Sequence, residues 1–231
     1  MPSCARKHRL TGSLIYHIFN RGNSRKVIFC DESDCIFFKC LLKKYIELFS
    51  IQIYHWVIMP NHYHLLLEIA EPRLISRVMA GLNVSYTRHF HRKYETYGLL
   101  WQGRFKSQPV QKESYLFACG RYIERNPVRK NIVSVAAEYA HSSARFYCLG
   151  ENDDITCEDP YFREFGRSLN DAQAHYARYL LGFDRTEESQ FRKIDIPLGD
   201  RIFVNKLRKE RGLYVPAGPG KPRANIIATN C

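Results

Sequence analysis

The chain has 231 residues, 45% of them hydrophobic, which is enough for a packed core and too apolar for a disordered polymer. Its formal net charge of +12 asks for a polyanionic partner, of which nucleic acid is the commonest. No apolar run approaches the length of a bilayer span, and Met1-Pro2-Ser3-Cys4-Ala5-Arg6-Lys7 lacks the apolar stretch of a secretion signal, so no membrane association and a cytoplasmic location are expected.

Taken in order, residues 14–20 (Leu-Ile-Tyr-His-Ile-Phe-Asn) read as a strand and Arg21-Gly22-Asn23-Ser24 as a turn. The acids at Asp31, Glu32 and Asp34 start a helix over about 33–48, with Phe37, Leu41, Leu42, Tyr45 and Leu48 as its apolar stripe. Residues 51–58 form a second strand, Met59-Pro60-Asn61 a turn, and residues 62–69 a third strand. A helix over about 73–94 follows from the 3.6-residue spacing of Ile75, Val78, Met79, Leu82 and Tyr86. Residues 104–111 make a fourth, imperfect strand. The next helix starts near Glu113 or Ser114 and is expected to stop at Asn126-Pro127, where proline disfavours helical geometry in the residue before it.

The order β-α-β-β-α-β-α, with a hairpin in the middle, predicts an α+β fold, a ferredoxin-like sandwich with an antiparallel sheet. This domain is expected over residues 1–145. A mainly helical C-terminal extension follows over 146–215, with helices near 170–182 and 199–211, and then a flexible basic tail over 216–231. The eight cysteines match no zinc spacing and read as reduced core cysteines.

Charge is concentrated as well as large. Residues 73–130 hold twelve Lys or Arg against three acids, interleaved with aromatics, a pattern suited to phosphate contact and base stacking.

Two constellations carry possible chemistry. In the third strand, alternation puts His62, His64, Leu66 and Glu68 on one face and the apolar Tyr63, Leu65, Leu67 and Ile69 on the other, the core face. Two neutral imidazoles side by side can hold a divalent cation and leave positions open for substrate oxygens. An H-x-H spacing arises by chance in roughly one chain in three of this composition. The second copy, His89-Phe90-His91, falls on a helix where the two rings point apart, so it is read as surface or phosphate-facing.

The second constellation is the helix from Ser114 to Asn126. Leu116, Cys119, Gly120 and Ile123 share its core face, while Tyr115, Tyr122 and Asn126 lie along another. Tyr122 and Asn126, four residues apart, can reach one point in space: a phenol to attack a phosphodiester and an amide oxygen to complete a metal shell. Arg121, Arg125 and Arg129 surround them as candidate phosphate contacts, and Arg21, Arg104 and Lys106 complete the expected DNA-binding set. Tyr115 is the rival nucleophile.

Met59-Pro-Asn-His-Tyr-His-Leu-Leu-Leu-Glu68 resembles the HUH (His-hydrophobic-His) motif of single-tyrosine insertion-sequence transposases. Arg121-Tyr-Ile-Glu-Arg-Asn-Pro-Val-Arg129 resembles the tyrosine motif of their domesticated relatives, the REP-associated tyrosine transposases. Tyr16–Gly22, Leu100–Phe105 and Tyr139–Ser143 are similar to further blocks of that group, so the likeness covers about residues 10–145.

The resemblance implies an HUH endonuclease fold with Mg²⁺ or Mn²⁺ held by His62, His64 and Asn126. It implies attack by Tyr122 on single-stranded or hairpin DNA through a 5′-phosphotyrosine intermediate, by a monomer or homodimer. Glu124-Arg125 stands where aliphatic or aromatic residues are more usual, a departure expected to bear on hairpin contacts and not on the chemistry. The competing readings are a catalytically silent DNA- or RNA-binding regulator on the same fold and a hydrolytic metallonuclease that uses water.

Overall fold

In the computed structural model the described residues are 14–182, 191 and 197–211. Four strands, β1 (Ile15–Arg21), β2 (Ile51–Met59), β3 (His62–Ile69) and β4 (Lys106–Val110), form an antiparallel sheet in the order β2-β3-β1-β4. With two helices, α1 (Glu32–Phe49) and α2 (Ile75–Tyr94), they make the expected ferredoxin-like α+β sandwich.

The acids foreseen at the start of α1 form a capping box. Asp31 accepts from the backbone N–H of Asp34 at 3.1 Å, and Asp34 accepts from that of Asp31 at 3.4 Å. Lys93, in the last turn of α2, binds both carboxylates and ties the two helices together. The stripe of α2 is buried as read. That of α1 is rotated: Cys35, Phe38 and Leu42 carry the core contact and Leu48 is exposed.

The opposite face of the sheet is covered by a third helix, α3 (Lys112–Glu124), through Leu116, Cys119 and Ile123 packed on Ile15, Val57, Leu66 and Val110. Both faces are therefore buried. Pro127 does not end the helical path. The chain breaks for one residue at Arg125 and resumes as a short turn, α4 (Asn126–Arg129), where a first-turn proline lacks only an N–H that would have no helical partner.

The extension closes the edges of the sheet. Residues 141–143 pair with β2 through Ile58 N–H to His141 O and Ser143 N–H to Trp56 O, and Cys157 N–H donates to Ile53 O. On the far edge Leu198 bridges β4. Covering both edges removes the unpaired strand groups that template aggregation. Among the described residues three further helices follow α4: α5 (Ala144–Leu149), α6 (Leu169–Leu181) and α7 (Arg201–Arg211). The expected domain boundary at residue 145 falls inside α5, and Ile155, Cys157 and Tyr161 of the extension pack into or against the cores on the two faces of the sheet. The tail over 216–231 lies outside the described residues.

No helix among the described residues is long and apolar enough to cross a membrane. Of the described cysteines Cys35 and Cys119 are buried as expected, whereas Cys30 and Cys40 are exposed; all are free thiols.

Candidate active site

His62 and His64 leave β3 on the α3 side of the sheet, with ring centroids 5.1 Å apart and planes nearly perpendicular. His62 is partly exposed, while His64 is buried at 6% exposure. Burial lowers His62 to about 4, reinforced by the positive charges of Arg21, Arg129 and Lys130 and opposed by a hydrogen bond to Asn126. Burial likewise holds His64 well below its ordinary range. Both rings are therefore neutral at physiological pH, the state that binds a cation.

Tyr122 stands edge-on to His64 at 5.9 Å between ring centroids and to a third histidine, His17 of β1, at 6.0 Å. The Arg129 guanidinium lies 4.3 Å over its ring. Asn126 Nδ2 donates to the carbonyls of Tyr122 and Ile123, both at 3.0 Å, and so caps the end of α3. Its Oδ1, the atom available to a metal, accepts from Arg129. The break at Arg125 thus keeps Asn126 beside Tyr122 and within reach of His62. Tyr115 lies two turns earlier, at the margin of the core under α3. The ring contacts to the histidines run to Tyr122. Phe191 of the extension packs on Tyr122 at 5.0 Å, leaving the phenol 7% exposed.

The seat of α3 depends on a β-bulge. Between Ile53 and His55 the register of β2 on β3 shifts, with Tyr54 as the extra residue, so Tyr54 and His55 both face α3. Gly120 rides over the His55 ring so closely that a Cβ there would lie 2.7 Å from it. His55 Nδ1 meets Glu124 Oε1 at 2.8 Å and its Nε2 meets Asp159 Oδ2 at 3.3 Å, and none of these side chains reaches solvent. Ser143 and Tyr176 donate their hydroxyls to Glu124 at 2.6 and 2.8 Å. Sequence reasoning assigned Glu124 to hairpin contacts. It is instead a buried ion-pair partner that joins the tyrosine helix to the extension.

This network has a pH signature. Burial alone would lower His55, but the carboxylates of Glu124 and Asp159 outweigh it and raise the ring to about 9. A raised folded-state pKa gives stability that is complete below 6.5 and is lost as pH rises through about 9. The urea midpoint is accordingly expected to fall between pH 6.5 and 9, and His55→Gln should flatten that slope. A slope unchanged in the variant would assign the titration elsewhere.

The expected DNA contacts divide into two groups. Arg21, opposite His62 in register, donates to Gln102 at 2.8 Å; Lys106, paired with Phe19, is exposed at the start of β4, and Arg104 is exposed just before it. Arg129 is in the site itself. Arg121 and Arg125 turn to α6 instead: Arg121 lies 4.3 Å over the Tyr179 ring, and Arg125 donates to the carbonyl of Leu180. They serve helix packing, because the extension occupies the side of α3 that the sequence left open. His89 is also corrected. Its ring stacks on Phe37 at 3.8 Å between α1 and α2, while His91 clasps the turn after α2 through Thr96 and Gly98.

Among the described residues no group of three or more His, Cys, Asp or Glu side chains could hold a metal, so a cation at His62 and His64 needs Asn126 or its like as a third ligand. Two neutral imidazoles and an amide oxygen form a donor set that fits a divalent cation and leaves coordination positions open. Such a set beside a phenol is an arrangement for phosphodiester chemistry.

The chain is similar over 68% of its length, and 94% of the other's, to a solved REP-associated tyrosine transposase bound to a REP hairpin, with a TM-score of 0.51 and 17% identity. That likeness bears on the fold. No curated protein matches. The model of the family described as IS200-like transposases matches residues 11–126, just over half of the chain, and the protein belongs to that family.

Proposed function

We propose that the protein is a metal-dependent single-strand DNA endonuclease and strand-transferase that recognises hairpin-forming DNA and cleaves it through a 5′-phosphotyrosine intermediate at Tyr122. The observation that carries this reading is the convergence of His62 and His64 of β3, Tyr122 of α3 and Asn126 of α4 onto one site. The similar solved protein binds a REP hairpin, which supports hairpin DNA as the substrate class.

Tyr122 Oη attacks phosphorus, its proton is passed on, and the departing 3′-oxygen takes one up as a free hydroxyl. Attack by a hydroxyl on the phosphotyrosine then re-forms a phosphodiester without external energy. Arg129, between the Tyr122 ring and Asn126, is placed to hold a phosphate oxygen. Mg²⁺ or Mn²⁺ on His62, His64 and Asn126 would polarise the phosphate and orient it for in-line attack. Arg21, Arg104 and Lys106 offer phosphate contacts along the edge beside the site.

A second reading, a silent DNA- or RNA-binding regulator, is favoured by the cover that Phe191 makes over Tyr122, which must move aside for attack. One experiment separates the two. Labelled single-stranded DNA with a hairpin and a 3′ tail is incubated with the protein and Mn²⁺, and the denatured protein is examined for covalent label. The adduct is expected, and mass spectrometry of the labelled peptide should place it on Tyr122 and not Tyr115. Hairpin binding with no adduct in Mg²⁺ or Mn²⁺ would leave the regulator.

A further inference from the structure

His17 has no role in the chemistry described above, yet it is fully buried and directly joined to a proposed metal ligand. Its Nε2 lies 2.8 Å from His64 Nδ1, with the two rings stacked at 5.0 Å and 21°. On its other side the buried His17 Nδ1 has no hydrogen-bond partner among the described residues, and Gln108, its register partner on β4, is buried with its side-chain amide close enough to act on the ring. Gln108, His17 and His64 therefore form a row across β4, β1 and β3, closed off from water.

The row has a direction. An imidazole bound to a metal through Nε2 must carry its proton on Nδ1, and that N–H needs an acceptor when buried. Among the described residues His64 Nδ1 meets His17 Nε2, which can accept only if the His17 proton is on Nδ1, the side on which the Gln108 amide lies. The opposite direction would put the His64 proton on Nε2 and remove the lone pair the cation needs.

We propose that His17 is a positioning residue: it accepts the Nδ1–H of His64, anchored by Gln108, and so fixes the tautomer in which His64 Nε2 faces the metal. The proposal rests on the metal-site reading given above, and the tests keep the two apart.

The first test is the tautomer of His64 in the metal-free protein, read from the ¹⁵N shifts and long-range ¹H–¹⁵N couplings of the ring. A proton on Nδ1 is expected, and a proton on Nε2 overturns the proposal. This measurement needs no variant and no metal. The second is Mn²⁺ affinity, measured by calorimetry or by loss of the free-ion electron paramagnetic resonance signal. His17→Phe should weaken Mn²⁺ binding about 10- to 100-fold, as loss of a ligand's hydrogen-bond partner commonly does. Hairpin binding without metal should stay unchanged. His17→Gln, which can offer an amide oxygen to His64, should recover most of the affinity. If His17→Phe does not fold, Gln108→Leu tests the same row from its far end.

Wild-type Mn²⁺ affinity in either apolar variant overturns the positioning role alone. Failure of the wild type to bind Mn²⁺, or equal binding in His62→Ala, overturns the metal site, while the tautomer measurement still decides the direction of the row.

Discussion

Tyr122→Phe is expected to abolish the covalent DNA adduct and to reduce cleavage by at least about three orders of magnitude, as removal of an essential nucleophile does. The substitution deletes one oxygen. The ring keeps its edge contacts to His17 and His64, its packing on Phe191 and its place under the Arg129 guanidinium. Stability should change by about 1 kcal/mol at most, the worth of an ordinary hydrogen bond. Hairpin affinity should stay within about threefold, because the phosphate contacts proposed for Arg21, Arg104 and Lys106 are untouched. An adduct assay on denaturing gels, paired with a hairpin-binding titration, measures both. Cleavage that continues without an adduct would assign the attack to water and leave Tyr122 as packing.

Glu124→Ala should have the largest effect on stability, about 3–5 kcal/mol, the cost of stripping one partner from a buried ion pair. That is about a fifth or more of what an ordinary domain has. The variant leaves the raised imidazolium of His55 facing Asp159 alone, across 3.3 Å, and strands the hydroxyls of Ser143 and Tyr176 that now donate to Glu124. Glu124→Gln keeps the volume and one acceptor, so it should cost less, on the order of 1–3 kcal/mol for a mismatched buried donor. Equilibrium urea unfolding at pH 7 reads both. A cost below about 1 kcal/mol for Glu124→Ala would mean that the network is not a buried pair in solution.

The sheet and its main helices were legible because the physics that builds them is local. Alternation set β1 and β3 to within a residue, and the 3.6-residue stripe of α2 is buried as read. The pairing of His62 with His64 and of Tyr122 with Asn126 follows from the period of a strand and of a helix. Their convergence does not, since it depends on α3 crossing the sheet.

What escaped the sequence is what depends on distant partners. Glu124 was read as bearing on hairpin contacts, because its partners are 69 and 19 residues away in sequence at His55 and Ser143. His55 was hidden twice over. Strict alternation places it with Ile51 and Ile53 on the α1–α2 side, and only the bulge at Tyr54 turns it to α3. His17 left a faint trace: alternation sets it opposite Tyr16 and Ile18, the same sense as His64 in β3, but the strand register was needed to bring the two rings together. The packing of Arg121 and Arg125 on α6 was invisible to the sequence, because a basic residue on this helix suggests phosphate when the helix that packs there is unseen.

The His55 network also bears on the order in which the molecule comes together at the ribosome. The sheet is complete once Val110 has emerged, yet the carboxylate and hydroxyl that finish the seat of the tyrosine helix, at Asp159 and Tyr176, come roughly 50 and 65 residues later. At ordinary elongation rates that is a delay of several seconds. The fold is laid down early and the proposed active site late, so a nascent chain presents the sheet well before it holds a seated tyrosine.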